Sequence, residues 1–220
     1  MTVLFGDDCV IGTPGITDEN RTIMPIAYYK KNDPTTLHCD LPGCTDQDRV
    51  EMSKMFTKLG DVVVFVVNAT TPENSTDESL EALIAYLVTD CQCPRLICIN
   101  QCDRMFESTR KRHLCPEVTV TNILTRAAQQ WRQKTSFAGI MSAADDTETR
   151  TAHWDFESPK THAIVASIKS PSTSISIWLT CFNSFKGART TGHTEEFLER
   201  VLFSPSDVEM WINANKKSAL

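Results

Sequence analysis

No run in the 220 residues approaches the roughly 20 consecutive apolar positions that a membrane-spanning helix needs, and no basic start leads into an apolar core as in a secretion signal. A Cys-x-x-Cys pair and a histidine at zinc-finger spacing are missing too, so the nine cysteines do not read as a structural metal site. Their odd number and their scatter among apolar runs suit reduced thiols better than a disulfide framework. An excess of basic charge is also lacking. With 28 acidic residues against 22 basic ones and a net charge of −6, the chain has no general electrostatic reason to bind nucleic acid or an anionic membrane. The one tight basic cluster, Arg110-Lys111-Arg112, reads as a solvated turn. These absences describe a cytoplasmic protein with no nucleic-acid partner expected. The last absence concerns chemistry: nowhere does a Gly-x-x-x-x-Gly-Lys-Ser/Thr loop occur, the element whose amides and lysine hold nucleotide phosphates.

What is present is enough for one α/β core, since 41% of the residues are hydrophobic and 23% charged. Strand and helix signals alternate, which predicts a mostly parallel sheet with helices on both faces. Ile23 to Tyr29 and Thr35 to Cys39 read as a hairpin turning through Lys30 to Pro34. Asp61 to Asn68 is so uniformly apolar that a central strand, buried on both faces, is expected. Ser75 to Val88 follows with helical spacing of Leu80, Leu83, Ile84 and Leu87. Arg95 to Asn100 reads as a second buried strand, and Pro116 to Lys134 as a second helix. From Thr135 to Thr173 the pattern loosens and reads as an insertion. Ser174 to Phe182 is the best last strand, and Glu195 to Asn213 supplies one or two closing helices.

Two polar motifs stand where apolar runs end. Asp40-Leu41-Pro42-Gly43 follows Thr36-Leu37-His38-Cys39, and Asn100-Gln101-Cys102-Asp103 follows Leu96-Ile97-Cys98-Ile99. In open α/β sheets ligands bind beyond the carboxyl ends of parallel strands, which is where such motifs fall. Each motif alone is also what an ordinary strand-to-helix turn uses. Upstream, Gly6 to Thr17 reads as the end of a helix running into a mobile Gly/Pro-rich loop.

Taken together the motifs resemble the magnesium-side and guanine-side signatures of GTPases, and the chain is similar to G domains of the dynamin and Era-like kind. The match runs from about Leu4 to Asp103 and is looser beyond. The resemblance implies a Ras-like α/β G domain over residues 1–220 that is N-terminally incomplete, with guanine nucleotide (GTP or GDP) and Mg²⁺ as its ligands. By it, Asp40 holds Mg²⁺ through water, with Thr17, or as second choice Thr22, completing the metal shell. Gly43 offers its amide to the γ-phosphate, and Gln47 is the candidate for orienting the nucleophile. Asn100 contacts the base and braces the phosphate side. Asp103 accepts both N1–H and the 2-amino group of guanine, which adenine cannot offer. Thr180-Cys181 supports the base, with Ser142-Ala143 as the competing segment. Gln101 departs from the family pattern, which has lysine there. Without the phosphate loop, hydrolysis should be weak or nil, because positioning and charge neutralisation both depend on it. The open alternatives are a pseudo-GTPase scaffold that associates with a related GTPase or with its own kind, and an unrelated α/β fold in which both motifs are turns. No helical stalk of the dynamin sort is evident.

Overall fold

The computed structural model describes residues 9–13, 17–18, 21–44, 46–68, 78–101, 150–151, 164–169, 174–180 and 202–217. The chain opens with strands β1 (Cys9–Thr13), β2 (Thr17–Asp18), β3 (Arg21–Thr22), β4 (Ile26–Lys30) and β5 (Asp33–Asp40). β1, β4 and β5 form an antiparallel three-stranded sheet, and β2 pairs with β3 as a small ribbon. The expected hairpin is present, with Lys31 and Asn32 at its turn. Asp33 fixes that turn by accepting from the hydroxyls of Thr35 and Thr36, each at 2.6 Å. These bonds, with Lys216, hold its carboxyl well below the usual carboxylate range. Within the segment read as a helix end and mobile loop, Cys9–Thr13 is a strand instead, because Cys9-Val10-Ile11 pairs against Lys30-Tyr29-Tyr28; residues 6–8 and 14–16 lie outside the described residues.

A second sheet holds β6 (Val63–Asn68), β7 (Arg95–Asn100), β8 (Arg150–Thr151), β9 (Ile164–Lys169) and β10 (Ser174–Leu179), in the order β6-β7-β10-β9-β8. β6, β7 and β10 are parallel, and β9 and β8 add antiparallel. The chain is therefore α/β with a parallel core. β8 and β9 come from the stretch read as an insertion, and β9 pairs along β10.

Among the described residues there are three helices: α1 (Gln47–Leu59), α2 (Glu78–Thr89) and α3 (Pro205–Asn215). α1 starts where Asp46 accepts from the amide of Arg49 at 3.0 Å. α3 starts at a capping box between Ser204 and Asp207, with Pro205 in the first turn. The strand period of two sends β6 and β7 side chains to opposite faces. Val62, Val64, Leu96, Cys98 and Trp178 pack under Val208, Trp211 and Ile212 of α3. On the other face Val63 and Phe65 join Val50 of α1, Leu83 and Leu87 of α2, and Cys91 and Cys93.

β6 departs from its reading. It stands at the edge of its sheet among the described residues, and Val66 is 45% exposed. β5, at the edge of the first sheet, is not hydrogen-bonded to β6. Helix α3 joins the two sheets. Its Glu209 pairs with Lys30 of β4, and Lys216 just past its end reaches Asp33 at 3.4 Å and Thr36 at 3.0 Å.

Leu96→Ala, at a fully buried position under α3, should lower unfolding free energy by about 2–5 kcal/mol, whereas Leu59→Ala, at an 84% exposed position, should change it by less than about 0.5 kcal/mol. Urea denaturation of both variants measures this contrast. A second expectation concerns His38, whose protonation is disfavoured by burial and then by the charges of Lys30 and Lys216, with Asp33 opposing. Because its folded pKa lies below the unfolded one, its contribution is full above about pH 6.5 and is lost as pH falls. His38→Gln should therefore flatten the decline of the urea midpoint between about pH 7 and pH 5.

Candidate functional site

The carboxyl ends of the three parallel strands lie in one row. Asn68 is in register with Asn100, and Leu179 with Ile99, so Thr180 arrives beside Asn100. The amide of Thr180 donates to the carbonyl of Ile99 at 2.9 Å, extending the ladder by one residue. Its hydroxyl, fully buried, lies 3.4 Å from that carbonyl and 3.3 Å from Oδ1 of Asn100. Two residues assigned to the base side from sequence, 80 positions apart, are thus joined by a hydrogen bond. Asn68 was not singled out from sequence. The signal was there, since it ends the Val-Val-Phe-Val-Val run as Asn100 ends its own.

Beyond Asn100 the backbone turns sharply. Gln101 has φ 63°, in the left-handed region that side chains with a Cβ occupy at a cost of roughly 1–2 kcal/mol. Its Oε1 is buried with no hydrogen-bond partner among the described residues. Strain and an unmatched acceptor therefore coincide at Gln101, where the GTPase motif that the sequence resembles has lysine. Asp103, Cys181 and Ser142-Ala143 lie outside the described residues.

A second pair of candidates meets at the end of the first sheet. The hydroxyl of Thr22, the last residue of β3, donates to Oδ2 of Asp40 at 2.9 Å. Of the two threonines proposed for the metal shell, the second choice is the one placed against Asp40. Thr17 is paired with Thr22 through the backbone of the β2–β3 ribbon, and its side chain lies outside the described atoms. Thr22 and Asp40 supply oxygen donors of the kind that suits a hard cation such as Mg²⁺. Among the described residues no group of three or more His, Cys, Asp or Glu side chains gathers as a metal site.

Gly43 is exposed in the loop between β5 and α1, with nothing within 4 Å of where a Cβ would stand. Space alone does not require glycine there. Gln47 opens α1 and donates to Oε1 of Glu51 at 2.9 Å, an exposed i, i+4 contact that uses its amide within the helix.

Comparison of the chain with protein-family models, with curated proteins and with solved structures gives no match. Among the described residues no helix is long and apolar enough to cross a membrane.

Gln101→Gly should relieve the left-handed backbone and raise unfolding free energy by about 1 kcal/mol. Thermal or urea unfolding of the variant measures it; a loss of stability of that size would show that the Gln101 side chain contributes more than its backbone costs.

Proposed function

We propose that the chain is a guanine-nucleotide-binding domain of the dynamin and Era-like kind which, in this form, hydrolyses GTP weakly or not at all. The observation that carries the reading is the Asn100–Thr180 hydrogen bond at the carboxyl ends of adjacent parallel strands, 3.3 Å long. A ligand crevice in an open α/β sheet forms at such a place. The bond also orients the Asn100 amide, and a base contact needs an amide held in one orientation rather than free to rotate.

In this reading Asp103, three residues after Asn100, supplies the guanine-selective carboxylate, and Thr22 with Asp40 supplies the Mg²⁺ side. Asp40 and Thr22 already share a proton donor and acceptor, so a cation arriving there finds two oxygens in place. Thr180 is the base-side support. β5 and β6 each end a sheet among the described residues, which fits the same reading, because a G domain has one further central strand leading into its phosphate loop. Charge neutralisation at the phosphates is what such a loop provides, and its lack from these residues is why hydrolysis should be weak.

A second reading, a scaffold acting through protein–protein association, is favoured by one observation. β5 and β6 each lack a neighbouring strand on one side among the described residues, and such edges accept strands from partners.

Titration of the purified chain with a fluorescent GTP analogue in the presence of Mg²⁺ separates the two. Saturable binding that GTP but not ATP competes away, and that Asp103→Ala and Asn100→Ala each weaken at least about fivefold, is expected, since each loses a polar contact to the ligand of about 1–3 kcal/mol. A folded chain that binds no analogue, yet associates tightly with a related GTPase regardless of nucleotide, would replace the first reading with the second.

A further inference from the structure

The turn between α2 and β7 carries a pair of thiols for which the nucleotide reading has no use. Cys91 and Cys93 are separated by one residue, and their sulfurs lie 3.4 Å apart. Both are buried, whereas Asp90 and Gln92 beside them are exposed, so the pair sits directly beneath a surface turn. The turn is held in shape. The Cys91 amide donates to the carbonyl of Tyr86 at 3.1 Å, ending α2, and the Arg95 guanidinium donates to the Cys91 carbonyl. Cys93 rests with its sulfur 3.9 Å from the carbonyl of Thr57 in α1.

Other cysteines nearby are placed differently. Cys98 is sealed inside β7, where burial pushes its thiol well above the usual range, and Cys44 lies against the hydroxyl of Ser53 at 3.6 Å. Cys39 is exposed but partly desolvated, which raises it too. At the turn the direction reverses for one member. Cys91 is pulled down to about 6 by the Cys93 thiol that donates to it, helped by the Cys93 amide and the Arg95 charge, against the effect of burial. Cys93 correspondingly retains its proton. The pair is thus biased toward a thiolate at Cys91 facing a thiol at Cys93, which is the arrangement of an attacking and a resolving sulfur.

We propose that Cys91 and Cys93 form a dithiol oxidation site, closing to a disulfide within the turn when the chain meets a hydroperoxide and reopened by a thiol reductant. The Cys91 thiolate attacks one oxygen of the hydroperoxide: an S–O bond forms, the O–O bond breaks, and the departing oxygen takes a proton from solvent. Cys93 sulfur then attacks the sulfur of the Cys91 sulfenic acid. The S–S bond forms, the S–O bond breaks, and hydroxide leaves with the Cys93 proton as water. In sum, two thiols and one hydroperoxide give a disulfide, a water and the reduced hydroxyl compound. The sulfurs have to come only about 1.3 Å closer to reach bonding distance. A ring spanning one intervening residue is tight, and strained disulfides are the readily reduced ones.

The test is to expose the full chain to an equimolar amount of hydrogen peroxide, block remaining thiols, digest, and identify the cysteines by mass spectrometry. The expected result is a peptide containing Cys91 and Cys93 that has lost two hydrogens and regains them with dithiothreitol, formed before Cys39 or Cys98 is modified. In Cys93→Ser given an excess of hydrogen peroxide, at least two equivalents, Cys91 should instead pass through the sulfenic to the sulfinic acid, which dithiothreitol does not reverse. The proposal is overturned if Cys91 and Cys93 of the native chain stay reduced while Cys39 is oxidised, or if they go to sulfinic acid without a disulfide. Because the native chain gives the primary readout, a serine variant that fails to fold does not remove the test.

Discussion

Burial of β7 on both faces and both edges is the constraint on which the remaining arrangement depends. Its edges are hydrogen-bonded to β6 and β10. Leu96 and Cys98 lie under α3, and Ile97 and Ile99, on the opposite side by the strand period, are equally shut from water. A strand so enclosed tolerates no unmatched polar side chain along its length. Arg95 at its start meets this condition in part, its Nη1 donating to the Cys91 carbonyl while its buried Nε is left unmatched among the described residues, and the next polar side chain comes only where the strand ends, at Asn100. The clustering of polar chemistry at the two ends of β7 is therefore a result of its enclosure, and the thiol turn and the Asn100 row are its two outlets.

The helices express the same constraint. α3 lays Val208, Trp211 and Ile212 over the parallel strands, where Trp178 stacks on Phe203 at 3.8 Å and meets Trp211 edge-on at 6.4 Å. This apolar contact is the stabilising part of α3. Its links to the first sheet, Lys30–Glu209 and Asp33–Lys216, are partly solvated ion pairs of the kind worth at most about 1 kcal/mol each. They set direction more than strength. On the opposite face, α1 and α2 are tied by the Thr57 hydroxyl and the Tyr86 phenol at 3.0 Å, above the same cluster that receives Cys91 and Cys93.

Sequence pattern was most informative where a single element determines its own environment. Arg95 to Asn100 is legible to the residue because Pro94 and the Asn100 motif bracket an unbroken apolar run. The β4–β5 hairpin is legible because its turn residues are local. β9 is not: Ile164–Lys169 sits in a Ser/Pro-rich context, and what makes it a strand is pairing with β10, which no local period reveals. β1 likewise owes its strand form to β4, and its glycine-containing sequence reads as loop when taken alone. For β6 the apolar run indicated a strand correctly, but its place at an edge depends on what stands beside it. In the site, residue type and strand ends were enough to nominate Asp40, Asn100 and Thr180. That Thr22 meets Asp40 could be seen only by knowing that β3 leads into β4 next to the end of β5.

The two halves of the candidate site are organised to different degrees. Asn100 and Thr180 belong to one hydrogen-bonded sheet, so their separation is fixed by strand pairing itself. Thr22 and Asp40 belong to the other sheet, and the separation of that pair from Asn100 is set by whatever holds β5 relative to β6. Strand pairing does not do it, and the ion pairs from α3 are too weak to hold a long lever rigidly. A ligand that touched both halves would have to spend part of its binding free energy on ordering them, while a strand paired to both edges would do so beforehand. The arrangement of Asn100 and Thr180 is therefore set within one sheet, whereas the placement of Thr22 and Asp40 relative to it depends on something other than strand pairing between β5 and β6.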